Sequence, residues 1–343
     1  LVFSWFFGGW TIIIAPAFGY GLITILDLIL AENFNLPNGN KSKLHKYKLI
    51  LWFWPPIQLF LIFGSLFTIF WLSTWTVFEQ IGLMLVQGMI TGAVGIVFAH
   101  ELMHQRSLKE RLLADSLLGM ALYGHFRTEH LLVHHRYVGT KRDAVTARFD
   151  ESFYHFLLRV LPGCLLSAWN TEIDRLASKN KSPFNIENPF WIYVAFPLIY
   201  LSTACLIGGT WGVILFFIQA TVAILHLEVV NYIEHYGLTR QLKENGKYEQ
   251  IQPYHSWNCN NKASNLLLIN LQKHSDHHIK PNKVYPLLRS FDSKHAPQLP
   301  FGYPLMVVIS MIPKLWRKIM NPRVIIWRKT FYPEVATWDS SLD

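Results

Sequence analysis

Nine of the fifteen histidines gather in four groups: His100 with His104, His130 with His134 and His135, His235 alone, and His274 with His277 and His278. Each group stands at or just beyond the end of an apolar run. Three have helical spacing, at i, i+4, at i, i+4, i+5, and at i, i+3, i+4. Side chains three or four residues apart share a helix face, so each group can aim several imidazoles at one point. Neutral imidazole is a ligand for iron, copper, zinc and nickel. Nine ligands are too many for one ion and suit two, which predicts a dinuclear metal enzyme embedded in a membrane. Cys164, Cys205 and Cys259 are far apart and form no Cys-x-x-Cys pair, so neither a disulfide framework nor a thiolate metal site is encoded. A nitrogen-only ligand set favours iron, leaving positions open for O₂. Surrounded by apolar segments, it would meet apolar substrates and suit attack on an unactivated C–H bond.

Carboxylates accompany the clusters: Glu101, Glu129, Glu228, Glu234 and Asp276. A metal-bound imidazole usually donates its other N–H to a carboxylate or carbonyl, and these acids are the candidates for that task. Taken alone, His100-Glu-Leu-Met-His104 is also the zincin pattern, with Glu101 as general base of a membrane zinc metalloprotease. That chemistry needs only one further ligand, whereas seven more clustered histidines are present. His45, His155, His255 and His295 are isolated and read as core or surface histidines. His125 and His226 flank the clusters and could line a cavity or support the ligands.

Composition supplies the elements that must position these groups. Half of the 343 residues are apolar, 15% are aromatic and only 15% are charged, against ~25% charged in soluble domains. The class is therefore all-α, a polytopic membrane helical bundle forming a single integral-membrane domain over residues 1–343. Trp10–Leu30, Leu49–Leu72 and Ile81–Ala99 read as spans, the last delivering His100. Pro189–Ile207 and Trp211–Tyr232 read as a hairpin joined by Gly208-Gly209-Thr210. Leu112–Phe126 is too short for a confident crossing and reads as a buried or re-entrant helix, Phe153–Trp169 as an interfacial one. Residues 301–320 are expected along the surface. The chain opens on Leu1 inside an apolar run, so a trimmed N-terminus is expected, with about six spans when intact. The connections 73–80 and 208–210 carry no Lys or Arg, and all 31 basic residues fall elsewhere. The positive-inside rule then puts the histidine-bearing span ends together on the cytoplasmic side of a multi-pass protein, in the inner membrane if bacterial. The net charge of +9 is explained by that bias rather than by nucleic acid. Phe18, Tyr20 and Leu22, with Trp52 and Trp54, are candidates to line an apolar channel to the metals.

The histidine groups resemble the three boxes of the membrane fatty-acid desaturase/hydroxylase superfamily. Glu129-His130-Leu-Leu-Val-His134-His135 resembles the second box of alkane 1-monooxygenases, with three residues between the first two histidines where desaturases typically have two. Asn231-Tyr-Ile-Glu234-His235-Tyr236-Gly237-Leu238 resembles their additional motif, and Leu271-Gln-Lys-His274-Ser-Asp276-His277-His278 their third box. With His255-Ser256-Trp257-Asn258, the likeness covers roughly residues 95–290. It departs at Met103, Gln105, Val133 and Cys259, none of which removes a ligand. The resemblance implies two non-haem irons held by His100, His104, His130, His134, His135, His235, His274, His277 and His278. It further implies O₂-dependent hydroxylation of the terminal methyl group of alkanes, with electrons from rubredoxin or ferredoxin and its reductase. Other members act on alkyl-aromatic methyl groups or desaturate acyl chains. Arg136, Lys141, Arg142, Lys273, Lys280 and Lys283 could attract an acidic electron carrier.

Overall fold

A computed structural model describes residues 1–30, 32, 44–72, 74–335 and 338. The polar connection expected after the first span therefore lies largely outside the described residues, as do Ser73 and the side chain of His45. The described residues form helices and turns, with two isolated β-bridges, Leu242 to Tyr248 and Asn258 to Gln298, and no strand.

Four helices are long and apolar enough to cross a membrane: Gly9–Ile29, Lys46–Leu72, Val77–Met103 and Phe190–His235. The first three fall on the expected spans. At 1.5 Å per residue the shortest of them reaches about 32 Å, enough for a hydrocarbon core. The fourth holds 46 residues and is not one rod. Its helical geometry fails at Gly208 (φ −138°, ψ 20°) and Gly209 (φ 58°, ψ −149°), the second a left-handed value that glycine tolerates. The chain then turns back so tightly that a Cβ on Gly212 would sit 2.4 Å from the carbonyl oxygen of Ala204. This is the hairpin expected from sequence.

The chain forms two compact units. The first comprises residues 1–22, 39–127 and 172–227. Its helix Val77–Met103 starts in a capping box, where Thr76 and Glu79 satisfy each other's backbone N–H groups. Small residues set its packing distance. A Cβ on Gly88 would meet the Gln219 carbonyl oxygen at 2.4 Å, and one on Gly92 the Cβ of His226 at 2.5 Å. Such close backbone approach drives helix association where lipid removes most of the hydrophobic difference. Buried polar groups pair across the contact: the Thr91 hydroxyl donates to Gln219 Oε1 (3.1 Å), and Gln219 Nε2 donates to the Met120 carbonyl (2.7 Å). The expected short element is the helix Leu108–Met120, buried along Ala114 to Met120 except at Ser116.

The second unit comprises residues 23–38, 128–171 and 228–343. Asp27 accepts the backbone N–H of Ser264 (2.9 Å), and its carbonyl accepts from Asn261 Nδ2 (3.0 Å). These bonds fix the short helix Lys262–Leu267, which precedes the helix His274–Ile279. The expected interfacial helix runs further than anticipated, over Phe153–Ala177. Residues 301–320 resolve into Tyr303–Ser310 and the start of Pro313–Phe331, which buries Trp316, Met320, Val324 and Trp327. Gly237, at φ 67°, ends the helix that carries His235, and Trp257 Nε1 then donates to the Tyr236 carbonyl (2.9 Å).

Candidate metal centre

Seven of the nine clustered histidines lie in the second unit, and three short elements, Glu129–His134, His135–Tyr137 and His274–Ile279, deliver six of them. Residues Glu129–His134 form a π-helical turn. The spacing alone suggested α-helix. A π-turn closes i to i+5, so His130 faces His135 as well as His134. The rings of His130 and His135 meet edge-on with centroids 4.6 Å apart. The helix His274–Ile279 brings His274, His277 and His278 inward, all buried. His235 comes from the end of the long apolar helix.

Two nitrogen sets result. His134, His235, His274 and His278 are all buried, and one ligand atom of each lies within 4.8 Å of the others. Within this set, Nε2 of His274 is 3.1 Å from Nε2 of His235 and 2.9 Å from Nε2 of His278. In the second set, Nε2 of His135 is 3.0 Å from Nε2 of His130 and 3.1 Å from Nε2 of His277. Adjacent ligands at right angles on an ion with metal–nitrogen bonds of ~2.1 Å are separated by about 3.0 Å, so the spacings in the first set fit a shared cation. In the first unit, His100 and His104 pair with ring centroids 5.1 Å apart.

The supporting groups differ from histidine to histidine. His134 Nδ1 donates to Asp143 Oδ2 at 2.9 Å, and the same carboxylate accepts the Thr146 hydroxyl (2.7 Å) and the Val145 backbone N–H (3.0 Å). This fixes the tautomer that presents Nε2, and that atom is buried without a hydrogen-bond partner among the described residues. Glu234 Oε1 lies 3.3 Å from His274 Nδ1 and accepts the Tyr303 hydroxyl at 2.7 Å. Burial, then the neighbouring histidines, holds the pKa of His278 well below the ordinary imidazole value, which favours the neutral ring, the form able to bind a metal. Glu129 is buried with both oxygens unpartnered among the described residues. Burial first, then Asp143 and Glu228, pushes its pKa well above the ordinary range.

Several of the other candidates have partners of their own. Asp276 binds Lys283 and accepts from the Arg289 backbone (2.9 Å). Glu101 accepts from Gln105 Nε2 at 3.3 Å. Lys273 is buried, donating to the Leu288 carbonyl, so with Lys283 paired it adds little to a docking face. Arg136, Lys141, Arg142 and Lys280 remain exposed. Of the channel candidates, Phe18 and Leu22 are exposed on their helix. Tyr20 turns inward, its hydroxyl donating to His226 Nε2 at 2.5 Å while His226 Nδ1 donates to the Val222 carbonyl. Trp52 and Trp54 are half-buried and bond to Glu110 and Gln58. His255 bonds Tyr332, as an isolated core histidine should. Burial lowers the pKa of His125 to about 4.

The residue that sequence reasoning missed is Asp143. It belongs to no periodic apolar stretch, and only a fold-back of the loop brings it to His134. A hint exists in the Asp-Ala-Val-Thr order, since Asp turns cap the backbone two residues on.

The family model described as fatty acid desaturase matches residues 80–310. Alkane 1-monooxygenase 1 of Pseudomonas aeruginosa is 42% identical over 256 residues, which is 73% of this chain and 65% of that protein. Alkane 1-monooxygenase 2 of Alcanivorax borkumensis is 34% identical over 315 residues, 90% of this chain and 81% of the relative. The hydroxylase component of a Pseudomonas putida xylene/toluene monooxygenase is 30% identical over 237 residues, 68% of this chain and 62% of its own length. The chain thus spans just under two thirds of the first of these relatives and about four fifths of the second.

Proposed function

The chain belongs to the fatty acid desaturase family, and from that premise we propose that it hydroxylates the terminal methyl group of medium- or long-chain alkanes to primary alcohols. The nine clustered histidines are proposed to hold two irons, in a single multi-pass membrane domain over residues 1–343 with the site toward the cytoplasm. What supports this most is the quartet His134, His235, His274 and His278, a buried set of imidazoles with no cysteine. The metal pair would supply O₂ activation for attack on an unactivated C–H bond. The protein's own contribution is placement: Asp143 orients His134, the Glu234–Tyr303 pair stands behind His274, and burial keeps water from the ligands. The electrons are proposed to come from rubredoxin or ferredoxin with its reductase, because three isolated cysteines encode no electron-transfer centre.

A second reading, hydroxylation of alkyl-aromatic methyl groups, is favoured by the likeness to the xylene/toluene hydroxylase component. Product analysis separates the two. Octane and hexadecane should give primary alcohols with a rubredoxin system, whereas xylene would give a benzylic alcohol and an acyl desaturase an alkene. The detergent-solubilised protein should carry about two irons by elemental mass spectrometry. Asp143→Asn should weaken iron affinity about 10-fold, the usual scale for a lost ligand-orienting carboxylate. One zinc per chain, with no O₂-dependent product after iron reconstitution, would sink the hydroxylase reading and revive the protease, for which Glu101→Gln should abolish proteolysis.

A further inference from the structure

The first unit contains a cavity of about 350 Å³ whose wall includes Arg111, Arg127, Arg175, Glu172, Asn188 and Ile192. Three guanidinium groups around so small a space repel one another unless anions lie between them. The protein supplies some. Arg175 Nε is 2.6 Å from Glu172, and Arg127 Nε is 2.7 Å from the buried Asp115, with its guanidinium 5.3 Å above the ring of Tyr193. Glu187, also on the wall, is taken by Lys181, with Lys179 at 3.6 Å. Arg111 shares the field of Asp115 with Arg127, and its own hydrogen bond is to a neutral group, Nε donating to the Gln105 carbonyl at 3.0 Å. Five cations thus stand against three carboxylates. Each of the three arginines is tethered through Nε. Arg175 Nη2 also donates to the Glu187 carbonyl (3.0 Å); anchoring by the Nε edge orients the terminal Nη donors of Arg111 and Arg127, the fork that recognises phosphate.

The position is as informative as the charge. Asn188, Pro189 and Ile192 belong to the mouth of the apolar helix Phe190–His235. Beside the cavity, Phe184 is 73% exposed, Ile186 85% and Trp191 50%. Exposed apolar and indole side chains next to cations at a span's end are the composition of a membrane–water interface.

We propose that this arginine-lined cavity binds a phosphate group, either the headgroup of an anionic membrane phospholipid or free phosphate. The apolar rim favours the lipid, whose chains would run past Ile186 and Trp191. The assignment is independent of the metal centre and of the reaction it performs.

The full chain, purified in detergent and delipidated, would be titrated with phosphatidylglycerol and followed by native mass spectrometry. Inorganic phosphate would be titrated in parallel, alone and as competitor. One phosphatidylglycerol per chain is expected, with affinity at least 10-fold lower in Arg111→Gln and unchanged in Lys329→Gln, on an exposed face of another helix. Arg111 is exposed and makes one bond to a backbone carbonyl, so its replacement leaves the fold intact; melting temperatures of the same samples check this. Lipid binding that millimolar phosphate does not displace identifies the headgroup. Phosphate binding that Arg111→Gln abolishes identifies the free anion. Equal affinity of wild type and Arg111→Gln for both ligands, or no binding of either, overturns the proposal.

Discussion

The helices Gly9–Ile29 and Val77–Met103 have the same mean hydropathy, 2.0, yet over an 18-residue apolar stretch 11% of the first and 61% of the second is buried in protein. Hydropathy therefore identifies what can enter a membrane and is silent on what faces lipid. The distinction lies in the small and polar residues. Val77–Met103 sets Gly88 and Gly92 against Gln219 and His226, and pairs Thr91 with Gln219. Gly9–Ile29 also carries glycines, but Gly19 and Gly21 have nothing within 4 Å of where a Cβ would stand. It presents Phe18, Leu22, Ile25 and Leu28 outward. A glycine in an apolar helix marks a protein contact only when a second element uses the space it leaves.

Substitutions can break this contrast. Gly88→Ala should have the largest effect, because the new methyl group would collide with the Gln219 backbone, and overpacking costs about 3 kcal/mol at a rigid contact. A thermal melt of the detergent-solubilised protein should show a clear fall, and an unchanged midpoint would mean that the two helices are not held at this distance. Gln219→Leu should come next, at roughly 2 kcal/mol, since it removes the acceptor of the Thr91 O–H, which keeps only the bond its oxygen accepts from Gln87, and the donor to the Met120 carbonyl. Phe18→Ala should change stability by no more than about 0.5 kcal/mol, as expected of an exposed side chain. Gly21→Ala should be equally quiet or slightly stabilising, because alanine favours helix. A large loss from either of the last two would show that Gly9–Ile29 is covered by protein and would erase the difference between the helices.

Much of this was legible in the sequence for a simple reason. Apolar length reveals a candidate span, and imidazoles three to five residues apart reveal side chains that can meet in space, because both depend on local periodicity. The break at Gly208–Gly209 was legible too, since paired glycines interrupt an otherwise apolar run. What escaped depends on tertiary return. Asp143 meets His134 only because the chain folds back. Lys273 is buried among the chain's own carbonyls, although a lysine beside a histidine box reads as surface. Tyr20 and Phe18 are two residues apart on an apolar helix, yet one bonds His226 and the other is exposed. The π-turn at Glu129–His134 was hidden as well, because i, i+4, i+5 spacing suits both α- and π-geometry.

That wide turn offers a way for the gap between His130 and His134 to change length without scattering the imidazoles. A helix absorbs one extra residue by widening a single turn from i+4 to i+5 closure, and the residues beyond it stay in phase with their surroundings. Removal of one residue from Leu131-Leu132-Val133 would let the same segment rewind as α-helix. The length of the spacer and the width of the turn are thus two expressions of one variable, and the imidazoles at either end are what is kept constant.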